Sequence, residues 1–202
     1  MNNVEILLNE STEIKSFAAG YLKYLSELLL RLDTQQISDF VENILLARER
    51  GSRIFFLGNG GSSATASHFA NDIAIGSRSW TKPYRAVALT DNTSIVTAIA
   101  NDYGYDEIFV LQLKIQAQPN DVVVAISASG NSPNVVKALE YANLHDMVSI
   151  ALTGFDGGKL NEVCQFGVHV NTPKGEYGPV EDAHMVLDHL VGAYLMQADT
   201  IT

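Results

Sequence analysis

The stretch FFLGNGGSSATASHFANDI, residues 55–73, decides how this chain is read. An apolar run ends in Gly58, Gly60 and Gly61 with Ser62 and Ser63, and a helix-like segment follows, carrying His68 and Asp72 four positions apart. Glycine lets the backbone turn sharply and approach a ligand closely. The start of a helix offers unpaired N–H donors and a partial positive charge. Three readings are open for such a turn: a nucleotide cradle, a phosphate cradle, or a tight corner closing a strand–helix unit.

Spacing narrows them. A P-loop needs glycine and lysine followed by serine or threonine, and no such tripeptide occurs. The dinucleotide pattern G-x-G-x-x-G would begin at Gly58 and Gly60, but Ser63 stands at its third glycine, and Thr81 occupies the region where an acidic ribose partner belongs. The nucleotide reading is weak.

Working outward, five short β-rich runs appear: RIFFLG (53–58), YRAVALT (84–90), DVVVAIS (121–127), VSIALTG (148–154) and FGVHVN (166–171). Helix-like segments separate them. Alternation of helices with near-continuous apolar strands predicts an α/β fold with a five-stranded parallel sheet covered on both faces. Ligands in such sheets bind beyond the carboxyl ends of the strands, and the strand ends here are polar and glycine-rich: GNGGSS, TDNTS, SASGNS and TGFDGG. SASGNS, after the third strand, repeats the chemistry of GNGGSS. Backbone N–H groups with the hydroxyls of Ser62, Ser127, Ser129 and Ser132 make a phosphate site without lysine or arginine. Two such turns on one sheet favour an anion site over a mere corner.

His68 and Asp72 share one helix face. The spacing suits two ligands for one metal, or a base and its partner. A second cluster, YGPVEDAHMVLDHL (177–190), holds Glu181, Asp182, His184, Asp188 and His189. On an ideal helix Glu181 and His189 lie about 12 Å apart along the axis, a long reach for one metal with bonds near 2 Å. His184 is read as a core histidine, His145 and His169 as structural. A last helix is expected from about Gly178 to Thr200.

Residues 3–50 read as two amphipathic helices, broken near LDTQQISDF with Asp33 or Thr34 as cap, forming an N-terminal hairpin (1–52) ahead of the α/β core (53–202) in a single domain. The formal charge is −10, with Lys and Arg scattered, which argues against nucleic acid as a partner. No apolar run approaches the roughly 20 residues of a membrane span. The N-terminal segment lacks a secretory pattern, and the one cysteine, Cys164, excludes an intrachain disulfide and a multi-cysteine zinc site. The cytoplasm is the expected compartment.

GNGGSSATASHFANDI, AIANDYGYDEIF, SASGNSPNVVKAL, ALTGFDGG and VEDAHMVLDH, in that order, resemble the sugar isomerase (SIS) domain, and within it the phosphoheptose isomerases. The resemblance spans roughly residues 50–195. It implies a homotetramer with active sites between subunits. It implies substrate contacts from Asn59, Gly60 and Gly61, sugar hydroxyl contacts from Asn101 and Asp102, and a phosphate cradle of Ser127, Ala128, Ser129 and Ser132. It also implies a zinc site of His68, Asp72, Glu181 and His189, with Asp72 and His189 in acid–base roles and Glu181 as a rival for the base. The implied reaction is aldose–ketose isomerisation of sedoheptulose 7-phosphate to D-glycero-D-manno-heptose 7-phosphate through an enediol or enediolate, as in heptose biosynthesis. Alternatives are isomerisation of another sugar phosphate, or phosphosugar binding without catalysis. The chain departs from the family pattern at Ala128, where threonine is usual, at Asp72 in place of glutamate, and at Glu181 in place of glutamine. A His/Asp/Glu/His set suits zinc and also a harder divalent ion.

Overall fold

The computed structural model describes residues 1–201, with side chains described to residue 198; the expected domain end at residue 202 lies outside the described residues. The chain opens with α1 (Asn3–Glu10), α2 (Ile14–Leu29) and α3 (Thr34–Arg50). The sequence predicts one helix where α1 and α2 stand. The break falls at residues 11–13, where the Ser11 hydroxyl donates back to the Leu7 carbonyl, an interaction that competes with helix continuation. Asp33 is the cap of α3: its carboxylate accepts from the Gln35 N–H. Gly51 ends α3 in a left-handed conformation, φ 68°, which glycine adopts without strain.

Strands and helices then alternate. β1 (Arg53–Gly58) leads into α4 (Gly61–Asn71), whose last turn widens into a π turn over Asp72–Gly76. β2 (Arg85–Ala88) and α5 (Thr93–Asp102) follow, then α6 (Val110–Gln116), β3 (Val122–Ser127) and α7 (Pro133–Leu144). The chain continues through β4 (Val148–Phe155), α8 (Gly158–Val163), β5 (Phe166–Asn171) and α9 (Tyr177–Ile201). The five strands are parallel, in the order β2-β1-β3-β4-β5.

Alternating strand residues build two cores. Ile54 and Phe56 of β1 with Val122, Val124 and Ile126 of β3 meet Phe40 and Ile44 of α3, Phe69 of α4, and Leu187 and Val191 of α9 on one face. Phe69 stacks on Phe56, centroids 5.1 Å apart, and meets Phe40 edge-on. Burying each of these rings contributes about 2 kcal/mol. Phe55, Leu57, Val123 and Ala125 point the other way, against α5, α6, α7 and α8. A smaller cluster joins Leu28 of α2 to Ala128, Phe155, Val180 and Ala183.

This wiring places the site. From β1 the chain crosses to the outer strand β2 on one face, then returns on the other face to β3 at the opposite side of β1. The connections therefore diverge beyond the carboxyl ends of β1 and β3, opening a crevice at the switch point. GNGGSS and SASGNS are the two turns that border it.

Candidate active site

The cradle comes first. Gly58 has no room for a side chain, since a Cβ would stand 2.8 Å from the Ile126 carbonyl oxygen. Gly60 lies at φ 55° and hands the chain to α4. Across the crevice the Ser127 hydroxyl lies 3.4 Å from those of both Ser129 and Ser132. Gly130, at φ 64°, has its Cα so close to the next loop that a Cβ would meet the Gly157 carbonyl oxygen at 1.9 Å. Pro133 starts α7 at a position where its missing N–H costs nothing. The two turns enclose a cavity of 280 Å³ lined by Asn59, Gly60, Gly61 and Ser62 on one side and residues 126–129 with Ser132 on the other, with Tyr177 and Glu181 closing it.

A pair of amides ties the turns together. Asn59 Nδ2 donates to Asn134 Oδ1 at 2.8 Å, and Asn134 Nδ2 donates back to Asn59 Oδ1 at 2.9 Å, where the Tyr105 hydroxyl also donates. Asn134 is buried. Sequence reasoning did not single it out, because one asparagine in a first helical turn carries no distinctive pattern. Ala128 is buried among Phe155, Val180 and Ala183, so this position offers the cradle backbone only.

Glu181 reaches this end of the crevice. A Cβ on Gly61 would fall 2.3 Å from Glu181 Oε2, so the carboxylate lies against the glycine turn. Burial, with the charge of Asp182 beside it, raises the Glu181 carboxyl above its usual range. The Tyr21 hydroxyl donates to Asp182 at 2.7 Å, and Tyr24 donates to Glu176, pinning α2 to the head of α9.

The second constellation lies farther along α4 and α9. His68 Nε2 stands 3.3 Å from His189 Nε2, 3.5 Å from Asp72 Oδ2 and 3.6 Å from Asp188 Oδ2. One donor atom from each of these four residues fits within a 4.8 Å span. Asp188 is 0% exposed, and neither of its oxygens has a hydrogen-bond partner among the described residues. Burial, then the neighbouring Asp72 charge, pushes its carboxyl up to about 7. The π turn begins at Asp72, a distortion that recurs at functional sites. Its Oδ1 accepts from Asn71 Nδ2 at 3.0 Å.

The structure thus brings His68, Asp72 and His189 together and leaves Glu181 apart. α9 is helical from Tyr177 onward, so Glu181 sits about 10 Å along the axis from Asp188 and joins the cradle instead. Asn101 and Asp102 end α5, exposed and bonded to each other at 2.7 Å, with no hydrogen bond to either constellation among the described residues. His184 is a core histidine, bonded through Nε2 to the Thr153 carbonyl at 3.3 Å; burial lowers it to about 4. His169 meets the Thr153 hydroxyl and His145 stacks on Tyr141.

The cradle lies where open α/β sheets bind ligands, with the His/Asp cluster farther along the same helices, and comparison with known proteins gives the family. The model of the SIS domain matches residues 20–154. A phosphoheptose isomerase of Trichlorobacter lovleyi is 36% identical over 181 residues, covering 88% of this chain and 91% of the relative. One from Bordetella avium is 41% identical over 157 residues, 77% and 80% of the two chains. The solved phosphoheptose isomerase of Neisseria gonorrhoeae superposes with a TM-score of 0.81 at 33% identity, over 91% of this chain and 98% of that one. The chain belongs to the SIS-domain family and, within it, to the phosphoheptose isomerases. No helix among the described residues is long and apolar enough to cross a membrane.

Proposed function

We propose that this chain is an aldose–ketose isomerase that interconverts sedoheptulose 7-phosphate and D-glycero-D-manno-heptose 7-phosphate. The observation that carries this is the pairing of two unlike constellations along the same two helices, α4 and α9. A cradle of serine hydroxyls and backbone N–H groups suits a phosphate. A His/Asp cluster suits proton transfer beside a carbonyl. α9 spans both, with Glu181 at one end and Asp188 and His189 at the other, about 10–12 Å apart. That separation matches an extended seven-carbon sugar phosphate held by its phosphate with its carbonyl end at the cluster.

In this reading Ser127, Ser129 and Ser132, with the N–H groups that follow Asn59 and Ala128, hold the phosphate. Asn59, Gly60, Gly61 and Ser62 line the path of the sugar, and Asn101 and Asp102 bind its hydroxyls. Glu181, its carboxyl raised, contacts the substrate at the phosphate end, and its distance along α9 from the cluster favours Asp72 as the base within one chain. Asp72 takes the proton from the carbon beside the carbonyl. His189 supplies and removes the proton at oxygen, and the carbon proton returns one position along. No net oxidation occurs: one C–H bond breaks, one forms, and the carbonyl moves by one carbon. Anchoring the phosphate lets its binding energy orient the reacting end.

His68, Asp72 and His189 fit a divalent cation: imidazole and carboxylate donors converge on one small volume beside a buried carboxylate that has no hydrogen-bond partner among the described residues. Zinc is our assignment. Such an ion would supply Lewis acidity that polarises a carbonyl oxygen and offsets negative charge beside it. The N-terminal helices and the α/β core act as one domain. We assign a homotetramer with sites at subunit boundaries, supported by exposed apolar side chains Ile14 and Leu22 on α2 and Leu30 beyond it. We assign the cytoplasm, where sugar phosphates are made.

The test incubates purified protein in deuterated water with sedoheptulose 7-phosphate and with shorter ketose phosphates, with and without chelator. Deuterium is expected in the product of the heptose and is expected to fall on chelation. Binding without exchange for every sugar overturns the isomerase reading, and exchange confined to a shorter ketose replaces the substrate.

A further inference from the structure

We propose that Asp188, and not Glu181, completes the cation site, so that one chain supplies all four ligands: His68, Asp72, Asp188 and His189. The proposal rests on reading this cluster as the cation site, and its geometry is specific. Three donor atoms stand 3.3, 3.5 and 3.6 Å from the single atom His68 Nε2. The edge of a tetrahedron with metal–ligand bonds of about 2.1 Å is about 3.4 Å. His68 therefore sees its three neighbours at the spacing that a four-coordinate ion imposes.

Asp188 also has a physical reason to be a ligand. It is 0% exposed, and neither oxygen has a hydrogen-bond partner among the described residues. A buried carboxylate with no hydrogen-bond partner, and only the His68 imidazole 3.6 Å away, is costly to hold ionised unless a cation meets it. Its flanking helix positions, Leu187 and Val191, are core residues, so the backbone holds the carboxylate inside while His189 approaches the same point from the exposed side. Two carboxylates and two neutral imidazoles cancel the charge of a dication, which suits a site with one wall in the protein interior. With no sulfur donor, the set admits zinc, manganese or iron(II).

Glu181 lies about 10 Å away along α9 and abuts Gly61. Its acidic side chain is thereby assigned to the wall of the cradle, where burial raises its carboxyl above the usual range.

The experiment follows Zn²⁺ uptake by chelator-stripped, full-length protein in equilibrium dialysis without substrate, together with melting of the stripped form. The wild type is expected to take up one Zn²⁺ per chain. Asp188→Leu should bind at least about 100-fold more weakly, and Asp188→Asn, which keeps a neutral oxygen donor, at least about 10-fold more weakly. Both stripped variants should melt at or above the stripped wild type, because a buried carboxyl with no hydrogen-bond partner is gone; a folded variant that fails to load separates ligation from structural support. Glu181→Gln should stay within about threefold of wild type. Wild-type affinity in both Asp188 variants, or a loss in Glu181→Gln as deep as theirs, overturns the proposal. Because uptake is read without turnover, an inactive protein that loads through Asp188 refutes only the isomerase reading. An active one whose loading ignores Asp188 refutes only this proposal.

Discussion

The cradle and the cluster are built by opposite means. The cradle is built mostly of neutral groups from two turns, each contiguous in sequence: hydroxyls, backbone N–H groups, and glycines whose missing side chains admit a ligand, with Glu181 as its wall. The cluster uses ionisable side chains from two helices 116 or more positions apart in the chain, brought together only by packing of α4 on α9 against the sheet. A phosphate arrives with its charge and needs only to be received. A carbon-bound proton must be pulled away, which needs groups that change charge. The first task therefore belongs to the cradle and the second to the cluster.

That division makes its own tests. The deepest loss should come from the cluster: Asp72→Asn or His189→Ala should lower kcat about 10³-fold, with little change in KM, measured as deuterium exchange with sedoheptulose 7-phosphate. A matching rise in KM would mean that the two ends are not separate. The stem of α9 between them can be loosened by acid. His184 is buried neutral and lowered to about 4, against about 6.5 when unfolded. The unfolded chain therefore binds the extra proton first. Stability is complete above about pH 6.5 and falls as pH drops toward 4, by about 3 kcal/mol in all. Urea titrations of wild type and His184→Gln should diverge over that interval, and parallel curves would remove His184 from the account.

Changes at the cradle should be milder and should act on KM. In Gly61→Ala the new Cβ would meet the movable end of Glu181, so the chain should fold while KM rises about tenfold, and adding Glu181→Ala should recover much of it. A variant unaffected by Glu181→Ala would show that the clash lies elsewhere. Ser129→Ala removes one hydroxyl, and about 1 kcal/mol of binding should raise KM roughly fivefold at unchanged kcat.

The same contrast governs what could be read before the fold was seen. All five strands were legible, since each is a short apolar run closed by polar turns, and their observed ends fall within a few residues of the expected ones. The two turns of the cradle were legible because each is contiguous in sequence, and repetition of the serine–glycine turn supplied the second signal. Asp188 was visible as one of several acidic residues near the C-terminal helix but was not distinguished. On a helix wheel it could face water, and only the packing of Leu187 and Val191 on the sheet shows that its side points inward. The split between α1 and α2 was missed because the apolar rhythm continues through it. The π turn at Asp72 leaves no trace in composition, since it is a change of hydrogen-bond register rather than of residue type.

α9 also sets an order in time. Ribosomes make all five strands, both glycine turns and the His68–Asp72 face of α4 before α9. The sheet can begin to assemble on the nascent chain, yet the wall of the cradle at Glu181 and half of the cluster at Asp188 and His189 arrive only with the helix laid over it afterwards. Until then the unfinished chain presents a histidine and an aspartate on one helix, too sparse a set to hold an ion firmly. Loading with metal and the onset of turnover are thereby deferred to the final docking step, so a truncated product of translation should carry the sheet without the chemistry.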